Sequence, residues 1–137
     1  MEKKWPSDQT MDKAANDLAK LSLQGTEAAW QRLYKAIEGC RAPIKVRNQV
    51  MWWLVTLQLQ IRAPLPEGSA GPCCIVLSWR NPEAKKVLDF QFTETGYYLQ
   101  IRENEKVVQC LAVGPGGDRD LMVNRVVEYL KRVFPER

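Results

Sequence analysis

From Cys73 to Val113 the chain alternates apolar and polar residues in four runs, broken by turns of two to five residues. No other feature constrains the fold as tightly. Side chains on a strand point to opposite faces in turn, so Cys73, Ile75, Leu77 and Trp79 share one side of the first run. Leu88, Phe90 and Phe92 share one side of the second, and Tyr97, Leu99 and Ile101 one side of the third. Lys106 to Val113 makes the fourth run. Asn81–Lys85, Glu94–Gly96 and Asn104–Glu105 are too short for the crossovers that parallel neighbours need. The pattern predicts a four-stranded antiparallel meander with one apolar face.

That face needs a cover, and the remaining sequence supplies helices. Thr10 or Asp8 caps a run with Met11, Ala14, Ala15, Leu18, Ala19 and Leu21 at helical spacing. Thr26 caps a second run through Trp30, Leu33 and Ile37, which Gly39 ends, so the first two helices read as an α-hairpin. Pro43 opens a third, with Val46, Val50, Trp53, Leu54, Leu57 and Ile61 on one stripe. A strand over Val50–Ile61 competes with it locally, but the longer helical pattern prevails. After the Gly114-Pro115-Gly116-Gly117 break, Asp118 caps a last helix carrying Leu121, Met122, Val126, Tyr129, Leu130 and Val133. Residues 63–72, rich in Pro and Gly, read as an internal linker, and residues 1–9 as a frayed end. The expectation is one α+β domain over residues 1–137: N-terminal helices, a four-stranded meander and a C-terminal helix packed on the sheet.

The composition, 45% apolar and 26% charged, is that of a globular domain. No apolar run reaches the ~20 residues of a membrane-spanning helix, and the start of the chain has no signal-peptide apolar region. The chain has no histidine, which removes Ser-His-Asp triads, Cys-His dyads and histidine-ligated zinc. Cys40, Cys73, Cys74 and Cys110 form no C-x-x-C pair and read as free thiols of a cytoplasmic protein, mostly packed as small hydrophobes. The expectation is a non-enzyme without metal or cofactor. The Gly-Pro-Gly-Gly junction reads as a turn and cap, because Asp118 and Asp120 already occupy the positive end of the helix.

Leu65-Pro66, a Pro/Gly link, Ile75-Val76-Leu77-Ser78-Trp79 and then Leu88-Asp89-Phe90 resemble a group of small uncharacterised bacterial α+β proteins. In these a proline-rich link precedes a strand ending in an apolar-x-Leu-x-Trp pattern. The resemblance covers roughly residues 43 to 104 and implies a helical segment followed by a meander, with no activity attached.

Two function classes follow. The first is a bacterial or phage interaction module that binds a protein partner or a second copy of itself. Its candidate residues are Met51, Trp52, Val55 and Leu59, left outside the buried stripe of the third helix, with Trp5 a further exposed-tryptophan hint. The second is a nucleic-acid-binding accessory protein. The net charge is only +4, but no acidic residue lies between Glu38 and Glu67, where Arg41, Lys45, Arg47 and Arg62 fall. The outer sheet face (Ser78, Arg80, Asp89, Gln91, Tyr98, Gln100, Arg102, Gln109) offers Arg80, Tyr98 and Arg102 to a single strand.

Overall fold

A computed structural model describes residues 7–19, 25–114 and 117–135. Helices α1 (Asp8–Ala19), α2 (Glu27–Glu38) and α3 (Ile44–Val55) come first, and α3 runs directly into a π-helical turn, Thr56–Gln60. Five strands follow: β1 (Glu67–Ala70), β2 (Cys74–Asn81), β3 (Lys86–Thr93), β4 (Gly96–Glu103) and β5 (Lys106–Val113). Helix α4 (Arg119–Val133) ends the described fold. The sheet is an antiparallel meander in chain order, β1-β2-β3-β4-β5. Among the described residues, no helix is long and apolar enough to cross a membrane.

The sheet therefore has five strands, not four. The additional one, β1, lies inside the expected linker and pairs with β2 from Glu67↔Ser78 to Ala70↔Ile75. It has no apolar alternation, and all four of its residues are exposed. Its pairing with β2, not its own residue pattern, makes it a strand.

One face of the sheet is buried: Ile75, Leu77, Trp79, Leu88, Phe90, Phe92, Leu99 and Ile101, as the alternation predicts. Cys73 lies outside β2 and is exposed, a correction to the expected inward set. Helix α3 crosses β2 and β3, α4 crosses β2 to β4, and α2 packs on β1 and α3. The whole predicted stripe of α3, Val46 to Ile61, is buried. Trp53 anchors it, edge-on to Phe90 at 5.0 Å, while Phe90 stacks on Phe92 at 4.2 Å. Each such side chain contributes about 1.5–3 kcal/mol on burial, so this cluster fixes α3 to the sheet.

The π turn resolves the helix-or-strand ambiguity of Val50–Ile61. One extra residue in the turn, closed by Ile61 N–H donating to the Thr56 carbonyl at 2.9 Å, keeps both Leu57 and Ile61 in the core. Gln58 swings toward α2, where it accepts from the Tyr34 hydroxyl (2.7 Å) and donates to Glu27 (2.7 Å). Arg62, in the left-handed region at φ 53°, ends the segment.

Three further expectations change. Helix α1 begins at Asp8, where fraying was expected, because the Ser7 hydroxyl accepts from Thr10 N–H and serves as the cap. The helix packs on α4 and the π turn instead of forming a hairpin with α2. In α4, Leu121 is exposed, and Val123 and Val127 are buried in its place. Leu21 and Trp5 lie outside the described residues.

The β4–β5 pairing contains a bulge. Ile101 pairs with Gln109 and Arg102 with Val107, which leaves Val108 as the extra residue. The shift brings Leu111 and Val113 to the helix side. It also moves Gln109 there, where it accepts from Arg132 of α4 at 2.9 Å, so Gln109 does not belong to the outer face. At the β3–β4 turn only glycine fits at position 96: its φ is +146°, and a Cβ would lie 2.1 Å from the Val113 carbonyl.

Candidate functional site

Helix α3 buries one stripe against the sheet and shows the opposite one. Along that outer line stand Ile44 (65% exposed), Val55 (42%) and Leu59 (62%), with Met51 half-buried between them. Ile44, Met51 and Val55 are seven and four residues apart, the spacing of a single helix face, and Leu59 continues the line past the π turn. Of the four residues expected at a protein interface, Val55 and Leu59 stand outside and Met51 packs partly on the core.

Trp52 points elsewhere. Its ring meets Trp53 edge-on at 5.2 Å, and the Arg119 guanidinium lies 4.2 Å above it. Arg119 is buried in the first turn of α4, where the helix dipole disfavours a cation, and the π face of Trp52 offsets that cost. Trp52 is thus a joint between α3 and α4. Ile44 was missed as an interface residue; its place seven residues before Met51 was the available signal.

The cations divide by role. Arg41, Lys45 and Arg62 are exposed, two at the start of the α3 line and one at its end. Arg47 is half-buried and donates to the Glu38 carbonyl at 2.9 Å, satisfying the C-terminal end of α2. It is a structural cap and leaves the expected basic stripe.

The sheet face away from the helices carries Ser78, Arg80, Asp89, Gln91, Tyr98, Gln100 and Arg102, as expected. Asp89 accepts from the Ser78 hydroxyl (2.6 Å) and from Arg102 (3.0 Å). Arg80 and Arg102 flank Val87 in one row across three strands. Tyr98 lies four residues from Arg102 on the same strand, about 13 Å away, and among the described residues no second aromatic on this face joins it into a stacking platform. A hydrogen bond with the Cys110 thiol raises the Tyr98 pKa above its usual value, with burial adding to it.

All four cysteines are free thiols. Cys73 and Cys110 are exposed and Cys74 is half-buried, so most are not the packed hydrophobes expected; Cys40, half-buried, does pack against the core. The Asp118 side chain accepts from Asp120 N–H, and Asp120 accepts from Ser7 N–H. Carboxylates thus occupy the α4 N-terminus. Among the described residues no three of Cys, Asp and Glu gather where they could hold a metal ion. No family model, curated protein or solved structure matches the chain.

Proposed function

We propose that the protein is a non-catalytic interaction module of the bacterial or phage cytoplasm, and that a protein partner seats on the outer line of α3. The observation that carries this reading is the row Ile44, Val55 and Leu59, three exposed aliphatic side chains along one helix and its π turn. Scattered exposed aliphatics need no explanation, but a line of them suits an amphipathic helix laid alongside. Charge narrows the partner. The rim has Arg41, Lys45 and Arg62 and no carboxylate of its own segment between Glu38 and Glu67. An acidic amphipathic helix complements it, whereas a second copy would set like charges against each other. The absence of histidine supports the non-catalytic part of the reading.

The test is selection of helical peptides on the immobilised protein. The expected winners carry apolar residues at i, i+4 and i+7 with a net negative charge, and Val55→Glu/Leu59→Glu weakens them by at least about tenfold. Both positions are exposed, so the double variant keeps its fold. Winners that are basic, or that bind the double variant equally well, would overturn the proposal.

A further inference from the structure

At the end of the sheet opposite Gly96, the β2–β3 and β4–β5 turns stand side by side, joined by Asn104 N–H donating to the Lys85 carbonyl at 3.1 Å. Between them and the last residues of the strands is a cleft of about 590 Å³, within the range of small-molecule sites. Arg80, Lys85, Lys86 and Arg102 line it, against a single lining carboxylate, Glu105. We infer that this cleft binds a compact phosphate-bearing ligand, a site separate from the α3 line and independent of its reading.

The four cations are not equally available. Lys86 is held in the wall by Glu103 at 3.6 Å and the Arg132 carbonyl at 3.2 Å. Arg102 is oriented by Asp89 through one terminal nitrogen, and its Nε, buried, has no hydrogen-bond partner. Arg80 has a loose pair with Glu67 at 3.6 Å, both side chains mostly exposed, which an anion can displace at little cost. Lys85, exposed at the turn, has no ion pair among the described residues. Arg80 and Arg102 flank Val87, about 10 Å apart at the backbone. Arg80 turns toward Glu67 and Arg102 toward Asp89, so a phosphate between them draws Arg80 off its loose pair and meets Arg102 from the other side, with Lys85 closing over it.

The neighbouring carboxylates favour a small ligand. Glu67, Asp89 and Glu103 stand beside Arg80, Arg102 and Lys86 through their ion pairs, and Glu105 lines the cleft itself. An extended polyanion would crowd these carboxylates, whereas a single phosphate or pyrophosphate group needs only the cations between them. The chemistry fits a phosphorylated small molecule better than a nucleic-acid backbone.

The experiment is titration of the intact protein with inorganic pyrophosphate, read by calorimetry at low ionic strength, beside a single-stranded oligonucleotide. Pyrophosphate is expected to bind, Arg80→Gln and Lys85→Gln to weaken it about threefold each, and Glu105→Gln to tighten it about twofold. Lys45→Gln, on α3, leaves it unchanged. Arg102→Gln gives the largest loss. Because Arg102 also braces the sheet through Asp89, Lys85→Gln is the deciding variant. No binding of pyrophosphate, equal affinity in Lys85→Gln and wild type, or an oligonucleotide that binds more tightly than pyrophosphate at ~150 mM salt would each overturn the inference.

Discussion

The sheet has two edges, and they are secured by opposite means. The β1 edge is short and polar and is preceded by Pro64 and Pro66, all features that discourage a foreign strand from pairing. It is also held from behind, since α2 packs on it and Leu33 lies directly over Gly68. The β5 edge is twice as long and uncharged from Val107 to Val113, and α4 meets it at Gln109, through Arg132. Among the described residues, what protects it is the bulge at Val108, which bends the strand and interrupts a straight pairing edge. A strand with almost no intrinsic preference can thus be fixed by what packs over it, and a strongly preferring strand can be left nearly bare.

The first way to break this contrast is to remove the anchor of the braced edge. The Trp79 indole N–H donates to the Pro64 carbonyl at 2.7 Å, and Trp79 is buried, so it fixes the chain just before β1. Trp79→Ala is expected to cost about 3–5 kcal/mol in urea unfolding. Trp79→Phe keeps an aromatic ring but strands the buried carbonyl, at about 1–3 kcal/mol. A loss below about 0.5 kcal/mol for Trp79→Phe would mean that β1 is fixed by its pairing with β2 alone.

A smaller effect compares the two edges directly. A Cβ at position 68 would lie 2.6 Å from the Leu33 Cδ1, so Gly68→Ala must push Leu33 aside and cost about 1 kcal/mol. In a free strand the same change would stabilise by restricting the unfolded chain. On β5, Val108→Ser touches an exposed bulge residue and should stay within about 0.5 kcal/mol. Equal costs at the two sites would show that the edges do not differ.

The same contrast explains what was legible in the sequence. Strands β2 to β5 could be read because alternation and turns are local signals, and β5 has the bounds the sequence predicted. Glu67-Gly68-Ser69-Ala70 carries no such signal, since its strand character comes from β2 and from Leu33 above it. The bulge was hidden because Val107 and Val108 are both apolar, so nothing marks which of the two is extra. At the α3 surface, Val55 and Leu59 followed from helical spacing alone. The fate of Trp52 depended on Arg119 arriving from a distant helix, and that of Arg47 on a carbonyl at the end of α2. The cleft between the two turns was illegible for the same reason: Arg80 and Arg102 become neighbours of Lys85 only once the strand register is set.

The smallest effect is one of titration, and it separates the edges by cause. Tyr34, on the helix that braces β1, has its pKa raised above 10.0, first by burial and then by the nearby Glu27 carboxylate. Tyr98, paired with β5, has its pKa raised chiefly by its hydrogen bond with the Cys110 thiol. A phenol whose folded pKa lies above its unfolded value contributes stability that is fully present below pH 10 or so. That stability is lost as pH rises from there through the folded pKa, because the unfolded chain ionises first. Alkaline titration followed by tyrosinate absorbance should therefore show late-ionising tyrosines in the folded protein. Cys110→Ala should move Tyr98 back toward the ordinary range and leave Tyr34 where it is. Tyr34→Phe should remove a second late component, leaving Tyr129, raised chiefly by burial, as the third, and lessen the decline of stability above pH ~10. If Cys110→Ala instead shifted both tyrosines, the two edges would be coupled through the sheet, and the separation drawn between them would fail.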